Sequence, residues 1–230
     1  MTMPMQTPLI KKSKMHRPDL DQICQGLGFR LLGIVSAQYP QDGTDCQIAL
    51  IGNIGDEFWP FFIAAPEYTD GLPNRLDRYC RRTLTEQAPE RARLIMPSDA
   101  PYAPFQSWAQ SLGTMHPSPL GILIHQNYGL WFAFRAAWRF PADTFDFDLP
   151  VPTPSPCQGC IEKPCLNSCP VSAFSTSGLA ADTCRNYLTS APSPCIGHQC
   201  QARLACPIGA EHRYQSGAGP FFLKNFACLD

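Results

Sequence analysis

Charge is scarce in this sequence, and long apolar runs are absent. Only 16% of the 230 residues are Asp, Glu, Lys or Arg, and the formal net charge is −1. A near-neutral chain carries no electrostatic footprint for nucleic acid or for an anionic membrane surface. The one basic run, KKSKMHR (11–17), reads as a solvated arm. No stretch approaches the roughly 18 to 20 apolar residues a membrane span requires. The opening residues, MTMPMQTPLIKKSK, have no apolar segment of the secretory kind, so a cytoplasmic chain without a membrane partner is expected. A nucleotide-binding glycine loop is also missing, since GNIG (52–55) is too short a signal.

Cysteine and proline are present in quantity, twelve and 24 residues, within a composition that is 44% hydrophobic and able to build a real core. Cys24, Cys46 and Cys80 stand alone in the first 150 residues and Cys228 near the end, all four reading as ordinary buried thiols. The other eight, Cys157, Cys160, Cys165, Cys169, Cys184, Cys195, Cys200 and Cys206, fall within fifty residues. In a reducing compartment such a packet binds metal rather than forming disulfides. Eight is two complete sets of four thiolates.

Spacing decides between metals. Zinc sites pair two C-x2-C knuckles; Cys157 and Cys160 make one, but Cys165 and Cys169 do not make a second. An iron–sulfur cube is larger, and a tight loop grips three of its corners while the fourth ligand comes from elsewhere. In two-cluster ferredoxins the cysteine before proline serves the other cluster. Cys169-Pro170-Val171-Ser172-Ala173 and Cys206-Pro207-Ile208-Gly209-Ala210 repeat that unit. Two [4Fe–4S] clusters are therefore expected, with zinc as the competitor. His198, between Cys195 and Cys200, is a weaker candidate ligand.

PADTFDFDLPVPTPSP (141–156) is proline-rich and reads as a linker. It divides an α/β (α+β) N-terminal domain, 1–150, from a small dicluster ferredoxin-like domain, 151–230. In the first part, 17–29 and 73–87 have helical spacing, the latter with proline in its first turn. LLGIVSA (31–37), CQIALIG (46–52) and the RLIMP stretch from Arg93 read as strands, and 104–113 as a short helix. Residues 55–68 predict a short aromatic helix broken near Pro60 or Pro66. GILIH (121–125) and GLWFAFRAAWRF (129–140) flank a turn with Asn127 and Gly129, which predicts a hairpin or adjacent strands. Trp131, Phe132, Phe134, Trp138 and Phe140 read as core, and His116 and His125 as packed or hydrogen-bonded.

The order of the cysteines resembles the cluster domain of epoxyqueuosine reductases: a four-cysteine C-P loop, a lone cysteine heading a helix (Cys184-Arg185-Asn186-Tyr187-Leu188), a cysteine pair and a final C-P. LGTMHPSPLGILIHQNYGLWFAFRAAWRF (112–140) is similar to the segment leading into that domain, so the likeness spans roughly 100–210. PYAPFQSWA (101–109) and PSPLGILIH (117–125) look like short bacterial ferredoxin-like proteins of unclear function. The resemblance implies Cys157, Cys160, Cys165 and Cys206 on one cluster and Cys169, Cys184, Cys195 and Cys200 on the other. It implies an electron-transfer protein with a redox partner protein. The alternative is a cobalamin-dependent reductase of the oxidoreductase class. The cobalamin site is only partly matched. Ser118-Pro119 replace the family's polar pair, and Asp99, in SDAPYAP (98–104), reads as a loop cap.

Overall fold

Leu20 and Cys24 are one helical turn apart, so a helix over this segment buries both together. Pro18 occupies its first turn, where a missing N–H costs nothing. That helix, α1 (Arg17–Gly26), opens the part of the chain that the computed structural model describes, residues 16–175, 178–190 and 193–229. The basic run lies outside the described residues except for His16 and Arg17.

Two long strands follow, β1 (Arg30–Gln38) and β2 (Asp45–Ile54). Every residue of β2 after Asp45 is buried, because it lies between two partners with a core on each face. Ala49 and Ile51 pack into one core, Ile48 and Leu50 into the other, as the two-residue period of a strand demands. Then come α2 (Trp59–Ile63), α3 (Pro66–Thr69), α4 (Arg75–Glu86), β3 (Arg93–Ile95), α5 (Phe105–Gln110), β4 (Met115–Pro117), β5 (Leu123–His125) and β6 (Phe132–Pro141). The main sheet runs β1-β2-β6-β3 with every neighbouring pair antiparallel. The fold is thus α+β. On one face α1, α2 and α4 bury Leu20, Phe58, Phe62, Leu76 and Leu84 against Trp138. On the other, Phe105 and Trp108 of α5 pack on Ile48 and Leu50. A fully buried side chain of this size contributes about 1.5–3 kcal/mol.

Two expectations are corrected. The segments at 121–125 and 129–140 do not form a hairpin. Strand β5 pairs with β4 in its own two-stranded sheet, while β6 pairs with β2 and β3. A single bridge, His125 to Gly129, is all that the Asn127–Gly129 turn closes. Pro73 is not in the first turn of α4; it precedes Asn74, which caps the helix at φ 55°. The aromatic segment breaks at Pro66 as expected, between α2 and α3, while Pro60 sits inside the first turn of α2.

The proline-rich stretch is strapped down rather than free. Gln47 and Phe145 exchange two hydrogen bonds, at 3.0 and 2.8 Å, and the Phe145 ring meets Phe140 edge-on. Further on, Thr153 N–H donates to the Gly113 carbonyl at 2.9 Å. The remaining elements are short: α6 (Pro164–Asn167), the pair β7 (Phe174–Ser175) and β8 (Gly178–Leu179), α7 (Ala181–Ser190), α8 (Pro194–Gly197), α9 (Gln201–Leu204), a 3-10 turn (Ala210–His212) and α10 (Ala218–Ala227).

Helix α10 is buried on both sides. Its Phe221 meets Trp59 and Phe62 edge-on, and Phe222 lies against Phe58 and Tyr214. Its Leu223, Phe226 and Ala227 pack instead with Cys184, Cys195 and Leu188. Asp56 ties the preceding loop to the N-terminal sheet, its Oδ2 accepting from the Gln215 and Ser216 N–H groups at 2.6 and 2.8 Å. Among the described residues no helix is long and apolar enough to cross a membrane.

Candidate metal centre

All twelve cysteines are free thiols. The isolated ones mostly match expectation: Cys24, Cys46 and Cys80 are buried, and burial pushes the thiols of Cys24 and Cys80 up to about 12. Cys228 is the exception. It follows α10 at φ 57° and is exposed, because the helix ends there and turns its last residues to solvent.

The eight clustered thiols fall into two neighbourhoods. Burial raises the Cys157 pKa, and the nearby thiols of Cys206, Cys165 and Cys160 raise it further. For Cys165, burial is followed by Cys206 and Cys160 as thiol neighbours, and Cys206 in turn feels Cys160. These four border one cavity, closed by Pro119, Ile124, Pro156, Pro164 and Ile208. In the second neighbourhood burial, then Cys200, Cys169 and Cys195, push Cys184 up to about 11. Cys195 feels Cys169 after its own burial, and Cys200 feels Cys195. The thiols thus act on one another within two groups of four, 157/160/165/206 and 169/184/195/200. The two C-P cysteines have changed places between loops.

Local backbone explains how. Pro164 starts α6 just before buried Cys165, and Pro194 starts α8 just before buried Cys195. The Ser193 hydroxyl caps α8 by accepting from the Ile196 N–H at 3.2 Å. After each C-P pair the chain turns left-handed at the third residue past the cysteine, Ser172 at φ 48° and Gly209 at φ 65°. At Ser172 that turn aims the next backbone N–H back at the sulfur, Ala173 N–H donating to Cys169 Sγ at 3.3 Å; Cys206 accepts from the Ile208 N–H, which comes before the turn at Gly209. Cys165 accepts from Leu166, Cys195 from Gln201, and Cys200 from Arg203 and Ala202. Such donors stabilise a thiolate against the burial that opposes it.

Each group has an apolar lid. Leu120, Ile124, Leu130 and Ala202 pack around the first, and Leu188, Tyr187, Ile196 and Leu223 around the second. Cys169 and Cys200 also touch the first shell, so they lie between the two. Among the described residues no three His, Cys, Asp or Glu side chains converge to hold a single metal ion. A mononuclear zinc needs all four donors within about 2.3 Å of one point. A [4Fe–4S] cube, the group expected from the sequence, would be held by Cys157, Cys160, Cys165 and Cys206 in the first neighbourhood and by Cys169, Cys184, Cys195 and Cys200 in the second.

Cations stand beside the sulfurs. Arg203 attracts the Cys200 thiolate, Arg185 that of Cys184, and Arg213 that of Cys206. Arg203 is held in place: its Nε donates to the Leu130 carbonyl at 3.0 Å, and its guanidinium lies 4.6 Å over Trp131. Arg213 was silent in the sequence, yet its Nη2 donates to the Leu204 carbonyl at 2.6 Å and braces the final loop. His198 is exposed. His125 is buried, with Nδ1 accepting from the Asn127 and Tyr128 N–H groups. Asp99 pairs with Arg81 on α4.

The sequence matches no family model and no curated protein. The resemblance to epoxyqueuosine reductases thus rests on the motifs quoted above. A pocket of about 300 Å³ near the first group, lined in part by Leu123, Phe132 and Arg203, is at the small end for organic ligands.

Proposed function

We propose that this chain is an iron–sulfur electron-transfer protein that carries two [4Fe–4S] clusters in a ferredoxin-like C-terminal unit, 151–230. The observation that carries this reading is the sorting of eight thiols into two groups of four, with Cys169 and Cys206 exchanged between loops. That exchange is how two-cluster ferredoxins are built. It accords with kinship to the C-terminal half of the epoxyqueuosine reductases and to short bacterial ferredoxin-like proteins.

When bound, each cluster would accept and release one electron at a time. The chain's own groups set the conditions. The apolar shells of Leu120, Ile124 and Leu130, and of Leu188 and Leu223, bury Cys165, Cys195 and Cys206 and cover the other five cysteines in part. Backbone N–H groups on Cys169, Cys195, Cys200 and Cys206, and the guanidinium groups of Arg185, Arg203 and Arg213, favour the more negative reduced state and raise its potential. The N-terminal sheet shields the first group through the segment 120–130 and the second through α10. A cytoplasmic residence and a redox partner protein belong to the same reading. Anaerobic reconstitution with iron and sulfide tests it. A brown protein that bleaches reversibly under reductant is the expected result; a colourless protein that takes up zinc alone contradicts it.

A further inference from the structure

The pocket of about 300 Å³ is walled by the rings of Phe132, Phe134 and Phe222 and by four polar side chains, Gln106, Arg135, Arg203 and Tyr214. Arg135 reaches it through a β-bulge. Ile51 pairs with Ala136 and Gly52 with Phe134, so Arg135 has no partner on β2. Bulges re-aim side chains in this way, and they are over-represented beside functional sites. Its Nε donates to Asn53 Oδ1 at 2.7 Å, which orients the guanidinium 4.9 Å from the Phe222 ring. Arg203 is fixed as firmly, by the Leu130 carbonyl, by the Tyr214 hydroxyl at 3.2 Å and by Trp131.

Neither guanidinium has a carboxylate partner among the described residues. Several other arginines are paired with carboxylates: Arg30 with Glu57, Arg78 with Asp70, Arg82 with Glu67 and Arg139 with Asp42. Two fixed cations in a half-buried apolar pocket keep N–H donors for an anion, and Arg presents them in a plane that matches a carboxylate. The aromatic walls favour a flat apolar body over a sugar or a peptide. We propose that this pocket binds a small planar organic anion, an aromatic carboxylate in class, with its charge between Arg135 and Arg203 and its ring against Phe134 and Phe222.

The pocket shares a thin wall with the first thiol group. Leu123 faces it, while the next residue, Ile124, closes the cysteine cavity. Arg203 lines it, while the preceding residue, Ala202, packs with Cys165 and Cys206. A ligand here sits beside the proposed cluster, but its binding does not depend on that reading.

Calorimetric titration of the full chain with naphthalene-2-carboxylate tests the proposal, with neutral naphthalene-2-methanol and acetate as controls. Saturable binding of the carboxylate, at least about tenfold tighter than either control, is expected. Arg135→Gln keeps a donor for Asn53 and should weaken the carboxylate about tenfold or more. Ala133→Phe fills the pocket and should abolish binding. Thermal melts identify any variant that has unfolded, and whichever variant stays folded decides. Equal affinity for the neutral analogue or for acetate, or unchanged affinity in a folded variant, overturns the proposal. Iron is assayed in the same samples, so retained binding without iron counts against the clusters alone, and retained iron without binding against the pocket alone.

Discussion

Gly129 and Gly209 stand back to back where the N-terminal sheet meets the cysteine loops. A β-carbon on Gly129 would lie 1.8 Å from the Ile208 carbonyl oxygen, and one on Gly209 would lie 2.3 Å from the Tyr128 carbonyl carbon. Both residues have positive φ, 56° and 65°. The turn after β5 is thus pressed backbone to backbone against the loop that brings Cys206 home.

Gly129→Ala should therefore cost more than about 2 kcal/mol, since a left-handed alanine is strained and the facing backbone cannot yield like a side chain. Thermal unfolding measures the loss. Iron bound by the first thiol group should fall with it, because Cys206 is displaced. A variant that melts like the parent would show that the seam is looser than described.

Cys206→Ser and Cys184→Ser should each remove about half of the iron, and from different clusters. The spectroscopic signals of the reduced variants should be complementary and together reproduce the parent. Loss of the same signal from both variants would break the division 157/160/165/206 and 169/184/195/200.

Arg203 holds the Leu130 carbonyl and stacks on Trp131 and Tyr214. Arg203→Ala should lower stability by about 2 kcal/mol through the lost charged hydrogen bonds and ring contacts. Arg203→Lys should recover only part, because an ammonium cannot span both partners. Denaturant titration of the three proteins checks the order.

His125 is held neutral. Burial, followed by the positive charges available to His116 and His212, brings its pKa down from the ordinary 6.5 to about 4. The unfolded chain therefore takes up a proton that the folded one refuses. Its contribution is complete above about pH 6.5 and is lost as pH falls toward 4. His125→Asn keeps an acceptor for the Asn127 and Tyr128 N–H groups and should flatten the fall in melting temperature between pH 7 and pH 5. An unchanged slope would place the acid sensitivity elsewhere.

The local code was readable where one helix turn or one strand alternation carries the information. Leu20 with Cys24, and Leu76 with Tyr79 and Cys80, declared α1 and α4. The buried run from Cys46 declared β2. Pairing between distant strands was not readable: β6 follows β5 across a turn with hairpin residues, yet it bonds to β2 some eighty residues earlier. The eight thiols and the C-P repeat were plain in the sequence, whereas the left-handed turn at Ser172 that aims the Ala173 N–H at sulfur was not. Arg135 and Arg213 were silent because a bulge and a loop carbonyl, neither visible in residue spacing, give them their roles.

Iron and acid-labile sulfide, counted per chain after anaerobic reconstitution, test the central claim most directly. Two four-iron clusters predict about eight of each. Four or fewer irons per chain, or zinc in their place, would contradict it.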